Sequence, residues 1–137
     1  MRSRSLLGLL LLAGMLAPAV LASTGDRAPA RRWAVTYLAE PTMIGSTIVQ
    51  GPVLFVHDAA KMARGEPCTS IRLFDPARGP IDEIAAFHCV PTPRKVATTF
   101  TVRTVPNVEL GYGCLLTEYQ FAGEAESHAV PTSRRAH

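Results

Sequence analysis

The sequence predicts an all-β fold, a small β-sandwich or a partly open barrel of about six to seven strands with one short helical turn. Three observations support this fold class. β-branched and aromatic residues gather in short runs, Gly, Pro and Asp separate these runs, and alternating segments outnumber segments with a 3.6-residue period. Both architectures fit this pattern, because each buries strand faces in a shared core.

The strands are predicted in order along the chain. The first alternates between two faces, and the second contains Gly51-Pro52, which predicts two pieces or a bulge at an edge. Segment 81–90 is apolar on both faces in its second half, which predicts a central strand covered on both sides. The six predicted segments are 33–38, 47–57, 70–74, 81–90, 95–105 and 111–121.

One short helix is predicted between the second and third strands. Asp58 can cap free amide groups at its start, and Gly65 can take the left-handed conformation beyond its end. Segment 58–64 is therefore expected to form one or two helical turns.

The first 22 residues predict a secretory signal peptide. Arg2 and Arg4 give a positive start to a short apolar run, and Val20 and Ala22 favour a cut before Ser23. The run is shorter than the about 20 apolar residues that a membrane helix needs. We therefore expect a secreted or periplasmic protein, bacterial by preference, with no stable membrane span after signal removal.

Four regions are expected along the chain. The segments on either side of the domain are rich in small residues, Arg and Pro, which is typical of disordered termini. The regions are a signal peptide at 1–22, a disordered leader at 23–32, a single β-rich domain at 33–126 and a disordered tail at 127–137.

The charge balance argues against nucleic-acid binding. Of the 14 basic residues, Arg2 and Arg4 leave with the signal, so twelve remain against 11 acidic residues. The remaining basic excess lies in the expected leader and tail rather than on one face with stacking aromatics. We expect no nucleic-acid partner, and a protein or envelope component fits better.

Common catalytic motifs are absent from the sequence. It lacks a glycine-rich phosphate loop after a strand, Cys-x-x-Cys spacing, His-Glu-x-x-His and a nucleophile elbow. Because catalytic triads are defined by geometry and not by chain order, an enzyme stays open as a third hypothesis behind a non-catalytic protein.

His57 and Met62 form the candidate metal site. His57 ends a strand, Met62 lies on the following turn and Cys68 in the next loop, so the three could face one rim of the domain. Imidazole and thioether suit copper or haem iron. Capping, core packing and a disulfide account for the same segment without a ligand. We therefore expect no cofactor, with copper or haem as the alternative.

Two other groupings could carry chemistry. His88 and Cys89 are adjacent in a predicted strand, so they point to opposite faces. Glu124, Glu126 and His128 would align if the last strand extended that far, and carboxylates with imidazole suit a hard ion or zinc. The small polar residues around them favour a solvated tail instead.

Three cysteines in an oxidising compartment predict one disulfide and one free thiol. We expect Cys68 to pair with Cys89, because Cys68 lies in a loop that is free to approach and Cys89 lies on an apolar strand face. Cys114 would then be the free thiol, although a pairing that uses Cys114 satisfies the same count.

The sequence thus predicts a non-catalytic binding or structural module of the cell envelope or extracellular space. Glu66, Thr69 and Ser70 form the candidate binding loop. The alternative is a small metal- or haem-binding protein that uses His57 and Met62.

The exported chain should begin near Ser23, because the small residues before it suit a signal peptidase. Intact-mass measurement and N-terminal sequencing of the exported protein check this. Recovery of a mature protein that keeps residues 1–16 in a membrane fraction would contradict it.

Overall fold

The computed structural model describes residues 31–132, which form eight β-strands and one short helix. The strands belong to one curled, mixed sheet that makes a half-barrel, so the predicted all-β class is confirmed. The predicted signal peptide lies outside the described residues. The elements are β1 Arg31–Ile44, β2 Thr47–Asp58, α1 Ala59–Ala63, β3 Thr69–Asp75, β4 Gly79–Phe87, β5 Val90–Pro93, β6 Thr101–Pro106, β7 Cys114–Gln120 and β8 Glu126–Ala129.

The two ends of the sheet are consecutive in the chain. The strand order is β4-β3-β2-β1-β7-β8-β5, with β6 paired to β7 off this path. Only His88 and Cys89 separate β4 from β5, and three Cα steps span at most about 11 Å. The sheet must therefore curl until its two ends approach each other. We call this meeting point, residues 87–90, the seam.

Segment 81–90 does not form the predicted central strand. β4 ends at Phe87 on one edge of the sheet, and β5 begins at Val90 on the opposite edge. Pro91 and Pro93 fit an edge strand, since proline has no N–H to give to a central ladder. The apolar pattern arises because Phe87 packs against the core from its edge.

Aromatic rings fill the inside of the curl. The Phe55 ring lies 5.2 Å, between centroids, from both Phe100 and Tyr119, and Phe100 lies 5.2 Å from Phe121. Each such pair contributes about 0.5–1.5 kcal/mol beyond the burial of its surface. Because Phe55 belongs to β2 and Tyr119 to β7, these contacts join the two halves of the curled sheet.

β1 extends the first predicted strand in both directions. Trp33 and Tyr37 are each 69% exposed on its outer face, while Leu38 is buried. The register with β2 shifts between Leu38 and Thr42, opposite Gly51, whose φ is 99°. The predicted irregularity is thus present, but it lies inside the sheet between β1 and β2 and not at an edge.

The helix forms where the sequence predicts it. The Asp58 side chain accepts hydrogen bonds from the backbone N–H groups of Ala60 and Lys61 at 3.0 and 3.1 Å. Gly65, just past the end of α1, has a φ of 71°, the left-handed conformation that glycine adopts without strain.

Parts of the expected leader and tail belong to the sheet. Arg31 and Arg32 start β1, and β8 pairs with both β5 and β7. Ser127 and His128 are both buried, and because adjacent strand residues point to opposite faces, both faces of β8 are covered there. Within residues 31–132, no helix is long and apolar enough to cross a membrane.

Gly113→Ala should destabilise the protein more than Gly111→Ala. Both glycines have a positive φ, of 70° and 71°, so both substitutions carry a backbone strain of about 1–2 kcal/mol. A Cβ at Gly113 would also collide with the backbone oxygen of Pro41, whereas at Gly111 it meets open space. We expect an additional loss of about 1–3 kcal/mol for Gly113→Ala, measured by urea unfolding. Equal losses for the two variants would contradict the close approach of β1 and β7.

Candidate metal-binding site

Four side chains meet at the seam, and we call them the thiol–imidazole cluster. His57 lies near the end of β2, Cys68 just before β3, Cys89 between β4 and β5, and His128 in β8. All four are buried, with 3–7% of each residue exposed. One ligand atom from each of His57, Cys68 and Cys89 lies within 4.8 Å of the others.

The two sulfurs are in contact without being bonded. Cys68 Sγ lies 3.0 Å from Cys89 Sγ, whereas a disulfide holds its sulfurs about 2.05 Å apart. The backbone N–H of Cys89 donates to Cys68 Sγ at 3.3 Å. Burial, followed by the hydrogen bond with Cys68, raises the pKa of the Cys89 thiol to about 12. In the absence of a bound cation the cluster therefore holds Cys89 as a thiol.

The His57 imidazole contains a polar atom whose hydrogen-bonding capacity is not satisfied by any residue that the structure describes. Its Nε2 atom is buried and has no hydrogen-bond partner within the described part of the chain. An orphaned buried polar atom costs about 1–3 kcal/mol unless something satisfies it. Burial and the neighbouring His128 lower the pKa of His57 to about 4, partly opposed by Glu124 and Asp58. The imidazole is therefore neutral, which is the form that binds a metal ion.

His128 is held by a carboxylate on the side away from the sulfurs. Its Nε2 lies 3.1 Å from Glu124 Oε2, and its Nδ1 lies 3.5 Å from Cys89 Sγ. Arg32 holds the same carboxylate through Glu124 Oε1 at 2.9 Å. If Nε2 donates its proton to Glu124, the Nδ1 lone pair faces Cys89. This carboxylate–imidazole arrangement is the one that orients metal-ligating histidines.

Ring contacts hold both imidazoles in place. The His57 and His128 rings are 4.2 Å apart between centroids, and Tyr119 stacks on His128 at 4.9 Å. The buried Tyr119 hydroxyl shares a hydrogen bond with Thr69 Oγ1. These contacts connect β2 and β3 to β7 and β8, so the cluster is held on both sides of the curl.

A surface recess of about 170 Å³ lies beside the cluster. Cys68 is one of its lining residues, and Arg31, Lys61 and Arg72 supply positive charge around it. Asp58 and Glu83 also line it, so the recess holds three cationic and two anionic side chains. Cys68 thus lines the recess and also contacts the buried sulfur of Cys89.

The residues predicted for the metal site and for the disulfide lie in different parts of the fold. His57 joins the cluster, but Met62 lies on α1, whose residues are all outside the core, and is 39% exposed. Cys68 and Cys89 do come together, but their sulfurs are 3.0 Å apart and both are free thiols, so the predicted disulfide is not formed in this structure. The structure therefore places Cys68, Cys89 and His128, and not Met62, beside His57.

The three residues of the candidate binding loop also differ in their surroundings. Glu66 is exposed and pairs with Arg64 at 2.7 Å. Thr69 is buried, with 1% exposed, and so offers no surface to a partner. Ser70 lines the recess and donates to Glu83. These three residues therefore do not form one continuous surface.

His128 is the ligand candidate that sequence reasoning assigned elsewhere. Its spacing from Glu124 predicts that the two side chains align in an extended strand, and they do meet, at 3.1 Å. Burial of His128 beside His57 follows from the pairing of β8 with β7, which brings Tyr119 opposite His128. The available signal is the period-two spacing of Glu124, Glu126 and His128, which fits a strand that continues through this segment.

Comparisons of this chain with protein-family models, with curated proteins and with solved structures find no match.

His57 should make metal-free, reduced protein less stable as the pH falls from about 6.5 to 4. The pKa of His57 is lowered to about 4 in the folded protein, while an unfolded histidine titrates at about 6.5. Within this window the unfolded chain binds a proton that the folded chain does not, so the free energy of unfolding falls as the pH falls. Urea unfolding at several pH values should show a shallower dependence for His57→Gln. An identical pH dependence in both proteins would contradict the buried neutral imidazole.

Proposed function

We propose that the protein is an exported, non-catalytic module of the cell envelope or extracellular space that holds one zinc-type transition-metal ion in the thiol–imidazole cluster. The observation that carries this proposal is the buried, unpartnered Nε2 of His57 beside two buried cysteines. A metal ion would satisfy that nitrogen and would replace the thiol protons at the same time.

The donor set suits zinc. Two thiolates and two imidazoles form a common tetrahedral zinc environment, with Zn–S distances of about 2.3 Å and Zn–N distances of about 2.0–2.1 Å. His128 has the supporting carboxylate that such ligands usually have, in Glu124. Cuprous copper uses the same soft donors and is the competing ion. Haem fits less well, because the ligand atoms and rings already contact one another.

A closed donor set supports a binding role over catalysis. Catalytic zinc sites keep one position open for water or substrate, whereas structural sites use four protein ligands. Here His57, Cys68 and Cys89 bring their ligand atoms within 4.8 Å of one another. His128, whose Nδ1 lies 3.5 Å from Cys89 Sγ, would supply the fourth donor, and all four residues are at least nine-tenths buried. An ion held there would fasten the seam of the half-barrel and would stabilise the folded state.

The proposed location in the cell envelope or extracellular space rests on the predicted signal peptide. An exported protein meets oxidants, so the same two cysteines are also placed for the predicted disulfide. The metal-bound and disulfide-bonded forms exclude each other, because each uses both sulfurs. The proposal therefore concerns the reduced protein.

Reduced, metal-free protein beginning at Ser23 should take up one Zn²⁺ per chain, measured by native mass spectrometry and by competition with a chromogenic chelator. His57→Ala and Cys89→Ser should each weaken Zn²⁺ binding more than 100-fold, since each removes a ligand. Glu124→Gln should weaken it about 10–100-fold, the range of an outer-shell change.

His88→Ala and Cys114→Ser are the matched controls, and both should bind Zn²⁺ like the parent. His88 is exposed next to Cys89, and Cys114 lies by Glu40, 3.0 Å from its carboxylate. Circular dichroism should confirm that all variants are folded. Binding lost in His88→Ala but kept in His57→Ala, or no uptake of zinc or copper by the reduced parent, would overturn the proposal.

A further inference from the structure

We infer that the cluster is a redox-gated metal site, in which formation of the Cys68–Cys89 disulfide by a disulfide oxidant expels the ion. This inference rests on the proposed metal-binding function and adds the regulation of the same site. The juxtaposition that carries it is a pair of contacting cysteines with a charged recess reaching one of them.

The distance between the sulfurs of Cys68 and Cys89 is intermediate between the distances expected in the metal-bound and disulfide-bonded forms. Two thiolates about 2.3 Å from one tetrahedral ion stand about 3.8 Å apart, and a disulfide brings them to about 2.05 Å. The observed distance is 3.0 Å. Neither Cys68 nor Cys89 belongs to a strand, so both side chains can move without breaking the pairing of a strand interior.

Cys68 is the sulfur positioned to react first. Its Sγ accepts the backbone N–H of Cys89 at 3.3 Å and lies 3.0 Å from Cys89 Sγ, so the two sulfurs are already in contact. Cys68 also lines the recess, where three cationic side chains outnumber two anionic ones, a balance that favours an anionic oxidant. Cys89 lies behind it and is the resolving partner.

The reaction is an ordinary thiol–disulfide exchange. The Cys68 thiolate attacks the oxidant's disulfide, forms a mixed disulfide and releases one thiolate of the oxidant. The Cys89 thiolate then attacks Cys68 Sγ, so the intramolecular S–S bond forms and the second thiolate leaves. Two electrons pass to the oxidant, which takes two protons from water and becomes two thiols. The ion departs as a divalent cation, because both of its sulfur ligands are used.

The imidazoles alone would hold the ion weakly. After oxidation only His57 and His128 remain as donors, in place of two thiolates and two imidazoles. Loss of both anionic ligands should lower the Zn²⁺ affinity by more than 1,000-fold, beyond the loss expected for one ligand. Reduction of the disulfide should restore binding.

The experiment uses Cys114→Ser protein, reduced and loaded with one Zn²⁺. Oxidised glutathione is added, released zinc is followed with a chromogenic chelator, and the Cys68–Cys89 peptide is identified by non-reducing peptide mapping. We expect one zinc released per disulfide formed, and uptake of zinc again after dithiothreitol. Reduced glutathione at the same concentration should release none.

The experiment distinguishes a failure of the redox gate from a failure of metal binding. Zinc that stays bound while the Cys68–Cys89 disulfide forms, or zinc release with no such disulfide, would overturn the redox gate and leave metal binding intact. Failure of the reduced protein to load zinc or copper at the first step would remove the proposed function, and the gate with it. Zinc release as the Cys68–Cys89 disulfide forms, and zinc rebinding as it is reduced, would support both metal binding and the redox gate.

Discussion

The short connection between β4 and β5 is the constraint on which the rest of the structure depends. These strands stand at opposite ends of the sheet path, yet only His88 and Cys89 join them. The chain therefore cannot form an open, flat sheet. It must curl, and curling brings the carboxyl end of β2 and the start of β3 toward β8. The cluster exists because Cys89 lies in the connection itself.

The curl is held by apolar and polar contacts together. Phe55 and Tyr119 pack across it, and the Tyr119 hydroxyl meets Thr69 deeper in the same interior. On another part of β7, the buried Glu118 carboxylate binds Arg94 at 2.8 Å and Arg103 at 2.6 Å. A buried carboxylate with two guanidinium partners is satisfied. His57 differs from these groups, because its Nε2 has no such partner among residues 31–132.

Local patterns predicted the elements better than their arrangement. Period-two alternation identified the first strand, and the capping residue Asp58 identified α1, because both signals depend on near neighbours in the chain. The separation of β4 from β5 depends on pairings far along the chain, which alternation does not encode. The expected approach of Cys68 to Cys89 rests on the loop position of Cys68 and the apolar strand face of Cys89, and the two sulfurs do lie 3.0 Å apart without a bond. His128 could not be placed beside them, because its burial depends on the pairing of β8 with β5 and β7.

The central claim is that two sulfurs and two imidazoles bind one ion at the seam. X-ray absorption at the zinc edge, on reduced protein loaded with one Zn²⁺, tests it most directly. We predict a four-coordinate shell with two sulfurs at about 2.3 Å and two nitrogens at about 2.0–2.1 Å. A shell of nitrogen and oxygen alone would contradict the account, because it would place the ion away from Cys68 and Cys89.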